Sequence, residues 1–181
     1  SFPVTVPAPV MMHDIVITAT RSIFFDYNNR YHSPTEIMTG KAKSIYSVET
    51  NIPARFGILP RYAKSDAEMV WIEVPPAVVF HFLNAWDEGD EVVVWGCASS
   101  SIALDNLGGE ESRTSGGTMT YWRLNVVTGT LEKTFVIDNP PSGTNSNETA
   151  VDFAQVPASK VGLPIRYGYT AVFCAGFTID G

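Results

Sequence analysis

Residues 121–135 read YWRLNVVTGTLEKTF, and this stretch decides the fold class. Trp122, Leu124 and Val126 alternate with Arg123, Asn125 and Val127, close to the two-residue period of a half-buried strand. Thr128-Gly129 then supplies turn chemistry, and Thr130–Ile137 reads as the returning strand. A strand, a glycine turn and a return strand make a hairpin, a unit common in propeller blades.

The same texture continues on both sides. Short β-branched and aromatic runs occupy Met11–Ala19, Ser22–Phe25, Ser44–Val48, Ala54–Leu59, Met69–Val74, Ala77–Leu83, Glu91–Gly96 and Tyr167–Phe173. Turn signals fall between them at Tyr27–Arg30, Asn51–Pro53, Pro75–Pro76, Gly108–Gly109 and Gly116–Gly117. No stretch of a dozen residues keeps a capped helical period, and 30–42 has room for one short helical turn at most. The prediction is an all-β chain with few or no helices: a sandwich, barrel or propeller. The segments 98–117 and 138–149, rich in Gly, Ser, Asn and Pro, read as mobile surface loops.

Composition narrows the function classes. The chain has 181 residues, 45% hydrophobic and 17% charged, which is enough to bury one sizeable core. Its net charge is −7 and it has no basic run, so a nucleic-acid partner is not expected. No apolar run approaches the roughly 18–20 residues of a membrane helix. The two cysteines, Cys97 and Cys174, are far apart and read as buried thiols rather than a disulfide framework. The chain opens at Ser1 and stops at Gly181, just beyond an apolar run, and this reads as an internal piece of a longer protein.

Nucleophile and phosphate motifs are missing: there is no G-x-S-x-G, no phosphate-cradling glycine loop, no H-E-x-x-H and no C-x-x-C. The candidates are the histidines. His32, in RYHSP, reads as a surface residue. His13, in MMHDIVIT, and His81, in VVFHFLNAW, lie in apolar runs and are expected to be at least partly buried. Each reads either as a core histidine bonded to backbone carbonyls or as a metal ligand, since neutral imidazole suits Fe, Zn, Cu and Ni.

Ordered blocks add a resemblance. PVMMHDIVIT (9–18), ARFGILPRYAK (54–64), FHFLNAWDEGDEVVV (80–94), WRLNVVTG (122–129) and AVDFAQV (150–156) resemble, in order and spacing, blocks of the carotenoid cleavage dioxygenases. That family also includes the retinal-pigment-epithelium isomerohydrolase. The resemblance implies a seven-bladed β-propeller, of which residues 1–181 would form two to three blades, a partial domain incomplete at both ends. It implies Fe2+ held near the propeller axis by four histidines. His13 falls on the second ligand and His81 on the third, with the first upstream of Ser1 and the fourth beyond Gly181. Asp152 falls on a position where family members carry a glutamate that accepts the other N–H of a ligand ring. Aspartate is one methylene shorter, which predicts a stretched or water-bridged bond. Asp14, Asn84, Asp87 and Glu88 read as hydrogen bonders that fix the histidines, Phe80, Phe82 and Trp86 as blade core, and Met11–Met12 as core filler.

The implied reaction is oxidative cleavage of a carotenoid or apocarotenoid double bond by O2, giving two carbonyl products. The RFGILPRYAK block leans toward the 9,10(9′,10′) bonds. Cleavage of stilbenoids or epoxycarotenoids by the same fold is one alternative. A non-catalytic propeller piece that binds an apolar ligand or a partner without iron is another. Plastid localisation, with cytoplasm as alternative, and peripheral membrane contact of the full-length parent follow from the family alone. The chain departs from the family at Ala19–Thr20, where a glutamate is frequent, and in the Gly- and Ser-rich 98–120 region.

Overall fold

The computed structural model describes residues 1–43, 45–49, 51–99, 117–137, 150–174 and 178–180. In chain order the strands are β1 (Val16–Ile17), β2 (Arg21–Asp26), β3 (Asn29–Tyr31), β4 (Tyr46–Val48), β5 (Ala54–Pro60), β6 (Val70–Val74), β7 (Val78–Glu88), β8 (Glu91–Ser99), β9 (Thr118–Asn125), β10 (Thr130–Val136), β11 (Ala150–Gln155), β12 (Tyr169–Cys174) and β13 (Thr178–Asp180). They form antiparallel sheets: one of order β1-β2-β5-β6, a second of order β10-β9-β8-β7, a third of order β11-β12-β13, and a ribbon of β3 and β4. The α-helix α1 (Pro34–Met38) lies inside the segment expected to hold one helical turn. Ser33 caps it, accepting from the Glu36 N–H, while the Glu36 carboxylate accepts the Ser33 N–H at 2.7 Å. Of the two expected loops, 138–149 lies outside the described residues, as does 98–117 apart from Ala98 and Ser99, which belong to β8, and Gly117; residues 175–177 and Gly181 lie outside them too. Among the described residues no helix is long and apolar enough to cross a membrane.

The hairpin at 121–135 forms as read, and its motif explains why. Asn125 pairs with Thr130 across β9 and β10. The Asn125 side-chain oxygen accepts the N–H groups of Val127 and Thr128, both at 3.0 Å. Gly129 then takes φ +70°, a left-handed conformation that glycine adopts without steric cost. The β7–β8 turn is tighter still: Glu88 pairs with Glu91 around Gly89-Asp90, and Gly89 has φ +64°.

The main core lies between the two four-stranded sheets. Ile23, Phe25, Phe56, Ile58 and Ile72 of the first meet Val78, Val79, Phe82, Val92, Val94, Trp122 and Leu124 of the second. Phe25 and Phe56 approach to 4.5 Å between ring centroids, and Trp122 stands edge-on to Phe56 at 5.3 Å. Several of the sequence boundaries move, β7 by running on to Glu88 and β8 to Ser99. Of Met11–Ala19 only Val16–Ile17 pairs, because β2 offers partners to those two residues alone. Within Tyr27–Arg30, Asn29 and Arg30 belong to a strand, paired with Val48 and Ser47.

Candidate functional site

His81 sits where β7 loses its register. Val79 pairs with Ala98 and Phe82 with Gly96, so three steps along β7 are taken against two along β8. This bulge lets Val79 and Phe82, three apart in sequence, both face the core. Phe80 and His81 are thereby pushed out of the alternation and left half-buried. A second shift follows between Phe82 and Asn84. Gly96 makes room for the distortion, since a Cβ there would stand 2.8 Å from the Phe82 ring.

His13 lies in the extended segment before β1 and is exposed, which corrects the expected burial. The physical reason is that residues 10–15 form no strand, so no sheet covers the ring. The imidazole is nonetheless placed. It stands edge-on to His81, with centroids 5.2 Å apart and planes at 90°, and to Phe80 at 5.2 Å and 72°. Asp14 sets this position. Its Oδ2 accepts the Phe82 N–H at 3.0 Å and its Oδ1 the Ile15 N–H at 2.8 Å. The segment carrying His13 is thus stapled to β7 one residue past His81.

Asp152 reaches His81 directly. Its Oδ1 lies 2.9 Å from His81 Nδ1, which corrects the stretched or water-bridged expectation. A carboxylate only accepts, so Nδ1 donates this bond, and in the neutral ring Nε2 keeps its lone pair. The short side chain suffices because β11 is also bulged. Asp152 pairs with Ala171 and Gln155 with Tyr169, three steps against two. Val151 and Ala154, three apart, are both buried as a result. Phe153, between them, takes φ +52°, a left-handed conformation that costs a non-glycine residue about 1–2 kcal/mol. Its N–H donates to Asp152 Oδ1 at 2.8 Å, and its ring lies 4.8 Å from the His81 ring at 37°.

Chemically this is a pair of mutually perpendicular imidazoles, one of them with a fixed tautomer. Such donors fit a divalent first-row transition metal. Among the described residues no group of three His, Cys, Asp or Glu side chains could hold a metal ion, so those residues offer two donors here. Asp14 is committed to backbone N–H groups. Cys97 is buried, and burial, reinforced by the charge of Asp152, pushes its thiol up to about 12, away from the thiolate that binds metals.

The family model described as retinal pigment epithelial membrane protein (RPE65) matches residues 1–180. The chain belongs to this family. A carotenoid 9,10(9′,10′)-cleavage dioxygenase of Crocus sativus is 38% identical over 173 residues, 94% of this chain and 30% of that protein. A carotenoid 9,10(9′,10′)-cleavage dioxygenase 1 of Arabidopsis thaliana is 36% identical over the same shares. Among solved structures, the cobalt-substituted apocarotenoid oxygenase of Synechocystis superposes with a TM-score of 0.73 at 20% identity, covering 97% of this chain and 35% of that one. The fold is therefore part of the carotenoid oxygenase propeller. The chain spans about 30% of the length of the curated relatives it matches.

Within this family member, the other residues singled out in the sequence have structural employment. Asn84 is buried and ties down residues 160–163. Its amide donates to the Lys160 and Leu163 carbonyls at 3.0 and 2.9 Å and accepts from the Gly162 N–H at 2.9 Å. Asp87 holds Thr20 and Arg21, and Glu88 accepts from the Trp86 indole at 2.8 Å and pairs with Arg123. Of the four polar residues, Asp14 alone touches the backbone beside His81. His32 is half-buried rather than exposed, its Nε2 2.7 Å from Ser47 Oγ. Phe82 and Trp86 are buried, and Met11 packs against the main core. The side chain of Cys174 lies outside the described residues. Phe153 escaped the sequence reading. The available signal was Val151 and Ala154, two apolar residues at a spacing that breaks strand alternation. A cavity of about 510 Å³, walled by Leu83, Trp86, Trp95, Tyr121, Ile165 and Tyr167, lies between the second sheet and the 165–170 segment, and neither histidine lines it.

Proposed function

We propose that the protein containing this chain is a non-haem iron(II) dioxygenase that cleaves a carotenoid or apocarotenoid double bond with O2, one oxygen atom going to each of two carbonyl products. The observation that carries this reading is the perpendicular pair His13 and His81, with Asp152 on the far nitrogen of His81. Imidazole nitrogens are good donors to Fe(II) and, being neutral, leave the full charge on the metal. Iron, when bound, supplies the redox centre at which dioxygen and the double bond react. Within this segment, His13 and His81 would hold the metal, and Asp152 would keep His81 in the tautomer that exposes Nε2. Two further histidines would come from outside residues 1–181.

Relatives named for 9,10(9′,10′) cleavage reach 36–38% identity, against 30% for a 9-cis-epoxycarotenoid dioxygenase of Oryza sativa, so the first substrate class is favoured. That rice relative is named chloroplastic, which supports a plastid location.

The test is made in the full-length protein. His13→Ala and His81→Ala are each expected to abolish iron retention and product formation together. Asp152→Ala should weaken Fe(II) binding about 10–100-fold, the usual effect of losing a carboxylate behind a ligand histidine. Normal product yield from either histidine variant overturns the reading.

A further inference from the structure

We infer that Phe153 is a positioning residue for the metal site, holding the His81 imidazole from its face while Asp152 holds it from its edge. This rests on the reading of His81 as a metal ligand, and it adds a residue outside the ligands and their carboxylate.

Three independent features converge on Phe153. Its backbone occupies the left-handed region at φ +52°, where β-sheet residues other than glycine are uncommon. It is the only non-glycine among the described residues with a positive φ. Its ring stacks obliquely on His81, with centroids 4.8 Å apart. Its own N–H is bound by the same Asp152 oxygen that accepts from His81. Such strain persists only where the surroundings over-determine it, and it clusters at functional sites. The β11 bulge would be served equally well by glycine, the residue that left-handed bulge positions favour. Core packing does not require a phenyl group either, since Phe153 is 52% exposed. The phenyl ring is the part of Phe153 that meets His81.

The mechanics follow from the geometry. One hydrogen bond at Nδ1 fixes the tautomer but leaves the ring free to rotate about the line of that bond. His13 bounds this rotation edge-on on one side, and Phe153 bounds it with a tilted face. Together with Asp152 they leave His81 one ring orientation. The direction of its Nε2 lone pair is then set before any metal arrives, and preorganised ligands bind more tightly than ligands that must be ordered on binding.

The decisive variant is Phe153→Gly in the full-length protein. Glycine relaxes the backbone and removes a ring that is half in solvent, so the melting temperature is expected to stay level or rise. Fe(II) affinity, measured by chelator competition, is expected to fall about tenfold, within the range seen when a supporting residue behind a ligand is lost. In turnover kcat should fall with KM unchanged, and Phe153→Tyr should restore affinity to within about twofold, since it keeps the aromatic face. Phe153→Asn, which also tolerates a left-handed backbone, should behave as the glycine variant. Wild-type affinity in Phe153→Gly overturns the inference, as does a loss of affinity that merely tracks a loss of melting temperature. His81→Ala is the control that separates the two levels. If it keeps iron, the ligand reading itself fails; if it loses iron while Phe153→Gly keeps it, the positioning role alone fails.

Discussion

At Asp87 one carboxylate ties β7 to the turn between β1 and β2. It accepts the Thr20 N–H at 3.2 Å and the Thr20 hydroxyl at 3.0 Å, and it pairs with Arg21. Burial raises its pKa, but hydrogen bonds from Thr18, Arg21 and Thr20 outweigh that, and the net shift is downward. A folded-state pKa below the unfolded one means that the native state resists protonation. The stabilisation is therefore whole above the unfolded carboxylate value of about 3.9 and is lost as pH falls below it. Asp87→Asn should lower unfolding stability by about 1 kcal/mol at pH 7. The gap between variant and parent should close toward pH 3 in urea titrations; a gap unchanged at pH 3 would mean that charge is not the cause. Residue identity of this kind is visible in the blocks that carry it, but partnership is not. His81 meets Asp152 across 71 positions, and Asp87 meets Arg21 across 66. Spacing along the chain holds no information about either distance.

Elements show the same division. Hairpins written in local turn chemistry, such as 121–135 with its Asn125 and Gly129, are legible because every interaction that sets them is within five residues. The bulges in β7 and β11 are not, because an extra residue shows only against a partner strand. They are also what delivers the site, by turning His81 and Phe153 out of strict alternation. Expected burial of His13 failed for a related reason: apolar neighbours predict a strand, and no strand was there to pair with it. The ARFG stretch of β5 is intermediate. Gly57 pairs with Trp71 across β5 and β6, and a Cβ on it would meet the Met69 sulfur first and then the indole at 2.7 Å. The Arg55 guanidinium lies 4.0 Å over the same indole and bonds Asp26 at 2.8 Å. The sequence displays the glycine, and the structure supplies the sulfur and the ring that crowd it. Gly57→Ala should therefore destabilise the sheet by about 1–3 kcal/mol through overpacking. Adding Trp71→Leu should recover part of that loss, measured by denaturant midpoints. Additive costs in the double variant would show that the indole is not the obstacle.

On the scale of the whole chain, two four-stranded sheets enclose a core between them, while the metal-type donors sit at its margin. Core and site thus differ in what they need. The core closes with residues of this chain: Phe25, Phe56, Phe82 and Trp122 meet one another directly. The site does not, for the described residues bring two imidazoles together with no third His, Cys, Asp or Glu able to hold the same metal ion. Two neutral imidazoles hold a divalent ion far less firmly than a full set, and Fe(II) stands low in the affinity order of first-row metals. The 181-residue chain prepared alone should accordingly keep well under one iron per chain after dialysis. Ni(II) or Cu(II), which bind imidazole more tightly, should remain to a greater extent and be lost on His81→Ala. Iron is measured by atomic absorption on protein whose β-sheet signal in circular dichroism is intact. One iron retained per folded chain would mean that residues 1–181 hold a complete site, and the division of labour between core and metal would have to be redrawn.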